Sequence, residues 1–247
     1  MEKITSGVTT NLKGRLSASD FVKVRSVLNE RSRELGNRLG VLAQGAEAVI
    51  EQKGNLIIKN RISKLYRIKE IDDKIRKQRT KSEKKLLEKA SKIINAPNPL
   101  PLKEFNKIEM PFIEGKKLSE VLDSFPLAKQ KEICKIVGES IAKLHNAEII
   151  HGDLTTSNMI CDSASLHTLR PKIFMIDFGL GYISRKIEDK AVDLHLLKQA
   201  LEAKHFKNWK ELFASVEKGY RKANETEAKK ILERLQDVEK RGRYKEH

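Results

Sequence analysis

The chain has 247 residues, 39% of them apolar, enough for one good core or two small lobes. Its formal charge of +16 is extreme for an enzyme that handles only small molecules, and it points to a polyanionic partner such as nucleic acid rather than to a membrane surface. No apolar stretch approaches 18 residues, the start MEKITSGVTT lacks a signal peptide's apolar core, and Cys134 and Cys161 have neither a CxxC partner nor a histidine at ligand spacing; a membrane span, secretion, a disulfide frame and a zinc site are unsupported, and a cytoplasmic protein is expected.

In residues 1–38, helix caps at Ser17–Asp20, apolar Phe21, Val24, Leu28 and Leu35, and a stop at Gly36 predict a short helix. A short added helix is expected, with packing on the lobe that follows or a mis-assigned start codon as its plainest explanations. Between Gly40 and Lys59 the runs Val41–Ala43, Ala48–Ile50 and Leu56–Ile58 alternate with a loop at 44–47 and the turn Lys53-Gly54-Asn55, predicting a three-stranded meander. A long basic helix is predicted over Glu70–Asn95, with Ile71, Ile75, Leu86, Leu87, Ala90 and Ile94 at helical spacing, ended by Pro97, Pro99 and Pro101. Lys103–Phe112 reads as two short strands. Beyond Pro126 the chain reads as nearly all helix. One apolar face carries Ile133, Ile136, Val137, Ile141 and Leu144, and the same helix gives Cys134 the reading of a packed thiol. Further helices are predicted over Glu188–Ala203, Trp209–Lys222 and Glu225–Lys240, before a basic tail over 241–247.

Two runs carry chemistry. In HGDLTTSN, His151–Asn158, Asp153 and Asn158 stand five residues apart on a tight loop; in MIDFGL, Met175–Leu180, Asp177 follows an apolar strand and precedes Phe178-Gly179. This is the spacing of a kinase catalytic loop and its metal-binding turn. One carboxylate, Asp153, meets the acceptor's proton, while Asn158 and Asp177 supply the hard oxygen ligands that magnesium takes. Lys59, closing the third strand, is then the candidate for gripping the α- and β-phosphates. Glu83 is its candidate partner, with Glu70 and Glu88 as rivals. Gly45, Ala46 and Glu47 stand where the phosphate-covering flap belongs, although Gly45 is its single glycine. Met110 and Ile113 stand in the hinge where adenine would meet the backbone.

The set GAEA, RISKLYRIKEID (Arg61–Asp72), RTKSE (Arg79–Glu83), HGDLTTSN, IDFGLG, EDKAVDL (Glu188–Leu194) and RGRYK resembles the KEOPS-complex atypical serine/threonine protein kinases, the PRPK-like kinase/ATPase family, from about Leu39 to the end. The resemblance implies an α+β, bilobal protein-kinase-like fold, with an N-lobe over 39–112 and a C-lobe over 113–240. It implies ATP and Mg2+ as cofactors, and a role supporting threonylcarbamoyladenosine formation in tRNA. The implied partners are the threonylcarbamoyltransferase ATPase subunit, a small subunit on the N-lobe, and tRNA through the complex. Lys59 and Glu83 are then the phosphate-gripping pair, Asp153 the base, Asn158 and Asp177 the metal ligands. Arg241, Arg243 and Lys245 crowd a terminus anchored only by Tyr244 and are expected to be mobile, and the resemblance implies that they dock into the partner.

Departures from an ordinary protein kinase narrow the activity. Gly152 replaces the arginine of HRD, so no phosphorylated activation loop is bound there; no proline follows Pro171, so the peptide platform is missing; Thr155 replaces a lysine beside the transferred phosphate, removing one positive charge. Phosphotransfer to free peptides is expected to be slow. Two other readings stay open: a small-molecule phosphotransferase of the aminoglycoside or choline kinase type, and a non-catalytic tRNA-binding assembly subunit.

Overall fold

The computed structural model describes residues 40–45, 47–166 and 168–243; the expected helix before Gly36, Ala46 and Lys245 lie outside the described residues. Strands β1 (Val41–Gln44), β2 (Ala48–Lys53) and β3 (Leu56–Arg61) form the expected meander, and β4 (Lys107–Pro111) extends it along the free edge of β3 in a four-stranded antiparallel sheet of order β1-β2-β3-β4. The Lys53–Leu56 pair closes a two-residue turn at Gly54-Asn55, a composition suited to tight hairpins.

Helix α1 covers Lys69–Ala90 rather than extending to Asn95. It stops early because the chain must turn: the N–H groups of Ile93 and Ile94 both donate to Ala90 O, and Asn95 O accepts from the Met175 N–H at 2.9 Å in the helical part of the molecule. Leu86, Leu87 and Ala90 are buried as expected, but Ile71 is 53% exposed and Asp72 takes the inward place. That carboxylate is tolerated inside because Arg76 donates to it at 2.7 Å and Arg67 approaches at 3.5 Å.

The expectation of two strands within Lys103–Phe112 is corrected to one, β4. Pro99 and Pro101 have no N–H to give a ladder, and the segment before β4 is held by isolated hydrogen bonds, the Leu100 N–H to Glu109 O at 2.8 Å and the Arg61 N–H to Asn106 O at 2.9 Å, rather than by a paired strand. The next strand, β5 (Gly115–Lys117), pairs instead with β7 (Met159–Asp162), which pairs with β8 (Ile173–Met175). A short α2 (Leu118–Val121) precedes the central helix α3 (Leu127–Asn146), and β6 (Ile149–Ile150) pairs with β9 (Tyr182–Ile183). Helices α4 (Ile187–Lys204), α5 (Trp209–Arg221) and α6 (Glu225–Arg243) complete the fold, with α6 running three residues past the expected Lys240.

The predicted α3 stripe is the core: Ile133, Ile136, Val137, Ile141 and Leu144 are all buried, each worth about 1.5–3 kcal/mol. Cys134 is buried beside them, and burial pushes its thiol up to about 12, as a packed and inert cysteine requires. Helices α3 and α5 touch through a reciprocal pair of glycines. A Cβ on Gly138 would stand 2.0 Å from Val216 O, and one on Gly219 would stand 2.0 Å from Lys135 O. Only glycine permits this backbone approach. Helix α3 ends where Glu148 turns left-handed at φ 64°, which aims β6 and the following loop at the cleft.

Candidate active site

Residues two apart on a strand share a face, so β3 presents Lys59 and Arg61 side by side toward α1. The Lys59 Nζ donates to Glu83 Oε1 at 2.7 Å and to Asp177 Oδ1 at 2.6 Å. Arg61 Nη2 donates to the other Glu83 oxygen, Oε2, at 2.5 Å. Of the three candidate glutamates, Glu70 is exposed in the first turn of α1 and Glu88 pairs with Lys84, whereas Glu83 is 1% exposed. A carboxylate this deep requires compensation, and it has a cation on each oxygen.

The loop of Asp153 and Asn158 adjoins the Asp177 turn, because Asn158 O accepts the Ile176 N–H at 3.0 Å. Asn158 sits in a single 3-10 turn, Thr156–Asn158, and its Nδ2 donates to Asp153 Oδ2 at 2.8 Å and to Asp153 O at 3.0 Å. With the amide nitrogen so committed, Asn158 Oδ1 is the end left to face a cation. Gly152 has φ +78°, and a Cβ there would stand 2.4 Å from Leu180 O. The missing HRD arginine therefore has a steric reason as well as a chemical one.

Asp177 is in the left-handed region at φ 63° and also accepts the Gly179 N–H at 3.2 Å. Burial raises its pKa, but the charge and hydrogen bond of Lys59 outweigh that and hold the carboxyl below its ordinary range. Phe178 is fully buried, with its ring 4.6 Å from that of His151. The His151 Nε2 lies 3.1 Å from Ile176 O and its Nδ1 accepts the Asp153 N–H at 3.3 Å, which assigns the neutral tautomer protonated on Nε2. Burial pulls the pKa of this histidine down.

At the rim, Gly45 closes the β1–β2 loop through its N–H to Ala48 O at 2.9 Å. The Glu47 carboxylate is held by Arg79 of α1, with Arg61 Nη1 at 3.7 Å; the Arg79 hydrogen bond, against partial burial, lowers its pKa. Met110 is buried on β4 opposite Ile57, and Ile113 is half-buried where the chain leaves the sheet for β5. The expected mobile tail is corrected at its start. Arg241 is in α6 and donates to Glu188 Oε1 at 2.8 Å, because the helix carries it back over the start of α4; Arg243 ends the helix.

Several residues that shape the site are given no individual role by the sequence motifs. Arg61 is 4% exposed, although it opens the Lys- and Arg-rich stretch that leads into α1. Asp193 of α4 accepts the N–H groups of His151 and Gly152, both at 2.9 Å, and His145 Nε2 at 3.2 Å. Thr156 is anchored to His205 at 3.1 Å, which reaches Asp123 at 2.9 Å. The signals for two of them were present: Arg61 is two residues from Lys59, and Asp193 lies in the EDKAVDL run.

Residues 55–179, about half the chain, match the RIO domain, a span that starts before Lys59 and ends at Gly179. Over 208 residues the chain is 41% identical to the KEOPS complex subunit Bud32 of Pyrococcus abyssi, covering 83% of this chain and 91% of that protein. The chain belongs to the Bud32 family. It is also 36% identical over 203 residues to a probable serine/threonine-protein kinase BUD32 homolog of Archaeoglobus fulgidus, covering 82% of this chain and 95% of that one. A probable bifunctional tRNA threonylcarbamoyladenosine biosynthesis protein of Methanobrevibacter smithii is 40% identical over 210 residues, but the match takes in only 36% of its length. A Bud32-type chain thus also occurs as part of a longer protein.

Proposed function

We propose that this Bud32-family chain is the ATP- and Mg2+-dependent kinase or ATPase of a KEOPS-type assembly, supporting threonylcarbamoyladenosine formation in tRNA. The observation that supports this most is the convergence of Lys59, Glu83 and Asp177 beside the Asp153–Asn158 pair. Lys59, held by Glu83, grips the α- and β-phosphates, Asp153 orients and deprotonates the attacking hydroxyl or water, and Gly45–Glu47 covers the phosphates. Asn158 and Asp177 would hold Mg2+, and one amide with one carboxylate suits an ion that keeps waters and takes its remaining oxygens from phosphate. The metal supplies neutralisation of charge developing on the transferred group. Adenine stacks near Met110 and Ile113.

The partners are a threonylcarbamoyltransferase subunit, engaged in part through Arg241, Arg243 and Lys245, a small subunit on the sheet lobe, and tRNA held through the complex, in the cytoplasm. Among the described residues no helix is long and apolar enough to cross a membrane. The test is ATP turnover by the chain co-purified with its transferase partner, with and without tRNA. Asp177→Ala should abolish turnover, and Asp153→Ala should cost on the order of 10² to 10⁴ in rate. Unchanged turnover in both variants would remove the reading.

A further inference from the structure

We propose that Arg61 is a positioning residue for this nucleotide site, acting through Glu83 on Lys59. The inference rests on the ATP reading above. In the structure Lys59 is shared between two carboxylates, Glu83 and Asp177, while Arg61 serves Glu83 from the opposite oxygen. A nucleotide phosphate reaching Lys59 would divide the ammonium's charge among more anions. A glutamate that is 1% exposed and held only by that lysine would then be undercompensated in the interior, which is costly. Arg61 removes the problem, because a guanidinium stays charged at every working pH and has donors to spare.

Three further observations fit this role. The Arg61 backbone is clamped: its N–H donates to Asn106 O at 2.9 Å and its carbonyl accepts from Arg76 Nη1 at 3.3 Å, so the guanidinium leaves from a fixed base. Its Nε is buried with no acceptor among the described residues, so the side chain has been placed for something other than full satisfaction of its own hydrogen bonds. A Cβ at Gly179 would lie 3.4 Å from both Arg61 Nη2 and Lys59 Nζ, so the two cations converge beside the Asp177 turn.

The test uses the full chain with its transferase partner and reads kcat and KM for Mg-ATP in Arg61→Met, Arg61→Lys, Glu83→Gln and the double variant Arg61→Met/Glu83→Gln. Arg61→Met should lose roughly 10- to 100-fold in kcat, the usual scale for a residue that orients a reacting group's partner, and Arg61→Lys should recover most of it. Arg61 also stands 3.7 Å from Glu47, but if its effect on Lys59 runs through Glu83, the double variant should match Glu83→Gln within about twofold in both constants. It also removes both buried charges together, so it remains informative if Arg61→Met fails to fold. A double variant tenfold slower than Glu83→Gln, or a folded Arg61→Met at the wild-type rate, overturns the proposal. Asp177→Ala serves as the control: if it still hydrolyses ATP, the nucleotide reading itself has failed; if it is dead while the Arg61 variants are normal, only the role of Arg61 has failed.

Discussion

Asp193 Oδ1 accepts the backbone N–H of Gly152 at 2.9 Å across 41 residues of sequence, and its Oδ2 takes the adjacent His151 N–H. One carboxylate of α4 thereby fixes the peptide that leads into Asp153. His145 Nε2 donates to the same carboxylate while its Nδ1 accepts from the Tyr220 hydroxyl at 2.8 Å, so α3 and α5 brace the anchor. Asp193→Ala should leave two inward-facing N–H groups without acceptors and lower stability by about 2–3 kcal/mol. ATP turnover should fall further than unfolding explains when rates are normalised to folded protein by urea titration. Wild-type turnover per folded molecule would show that the loop does not depend on this anchor.

The pH dependence of stability should follow His151. Burial lowers its folded pKa below the ordinary value of about 6.5, so as pH falls through that value the unfolded chain takes up a proton that the folded chain refuses. Stability is fully present above about 6.5 and declines below it, levelling only beneath the folded pKa. Asp177 has the other sign of charge but the same direction: its folded pKa is lowered, so its contribution holds above the ordinary carboxylate range and is lost as pH falls through the folded value. Burial lowers His195 as well, so part of the slope belongs to it. Urea unfolding of the wild type and His151→Gln from pH 8 to pH 5 should give a shallower dependence in the variant; equal slopes would assign the effect elsewhere.

The glycine contact between α3 and α5 predicts a large effect from a single methyl group. Gly138→Ala forces the helices apart against a backbone carbonyl that cannot rotate away, and should cost about 1–3 kcal/mol or more. Gly219→Ala should behave alike. Because the first substitution already opens the contact, the double variant should destabilise by less than the sum, as neighbouring sites do. Strict additivity in thermal or urea unfolding would mean that the two contacts relax independently.

The end of α6 separates folding from assembly. Arg241 and Glu188 form a largely exposed pair, and Glu188 retains Arg234, so Arg241→Ala should change stability by less than about 1 kcal/mol. Deleting 242–247 should likewise spare folding and nucleotide binding while reducing tRNA modification in the reconstituted complex. Modification at full rate after the deletion would take this segment out of the mechanism.

The basic face of α1 is sorted by its ion pairs. Lys69, Arg76, Arg79 and Lys84 are each matched to a carboxylate within the molecule, whereas Lys74, Lys77 and Lys81 are exposed on the helix. If these lysines track phosphates, reversing all three to Glu should weaken binding similarly for different tRNAs and flatten the slope of log affinity against log salt by roughly 0.7 to 0.9 per lost contact. Superimposable salt titrations of the wild type and the triple variant, in the complex, would identify the face as merely solvated.

The sequence alone determined the parts whose physics is local. The meander is readable because β-branched runs and a Gly-Asn turn are short-range signals, the α3 core because a helix repeats its face every 3.6 residues, and the Asp153–Asn158 loop and the Asp177 turn because each is a short run of fixed spacing. Tertiary structure decided the rest. Which of Glu70, Glu83 and Glu88 meets Lys59 depends on the rotation of α1 against β3; Asp72 and Arg61 are inside because paired charges repay their desolvation only where partners from distant segments arrive together; and α1 ends at Ala90 because Asn95 must reach Met175. Periodicity announces which face of an element is apolar, but a buried charge follows no period. Its place is set by the three-dimensional meeting of elements that the chain brings together only on folding.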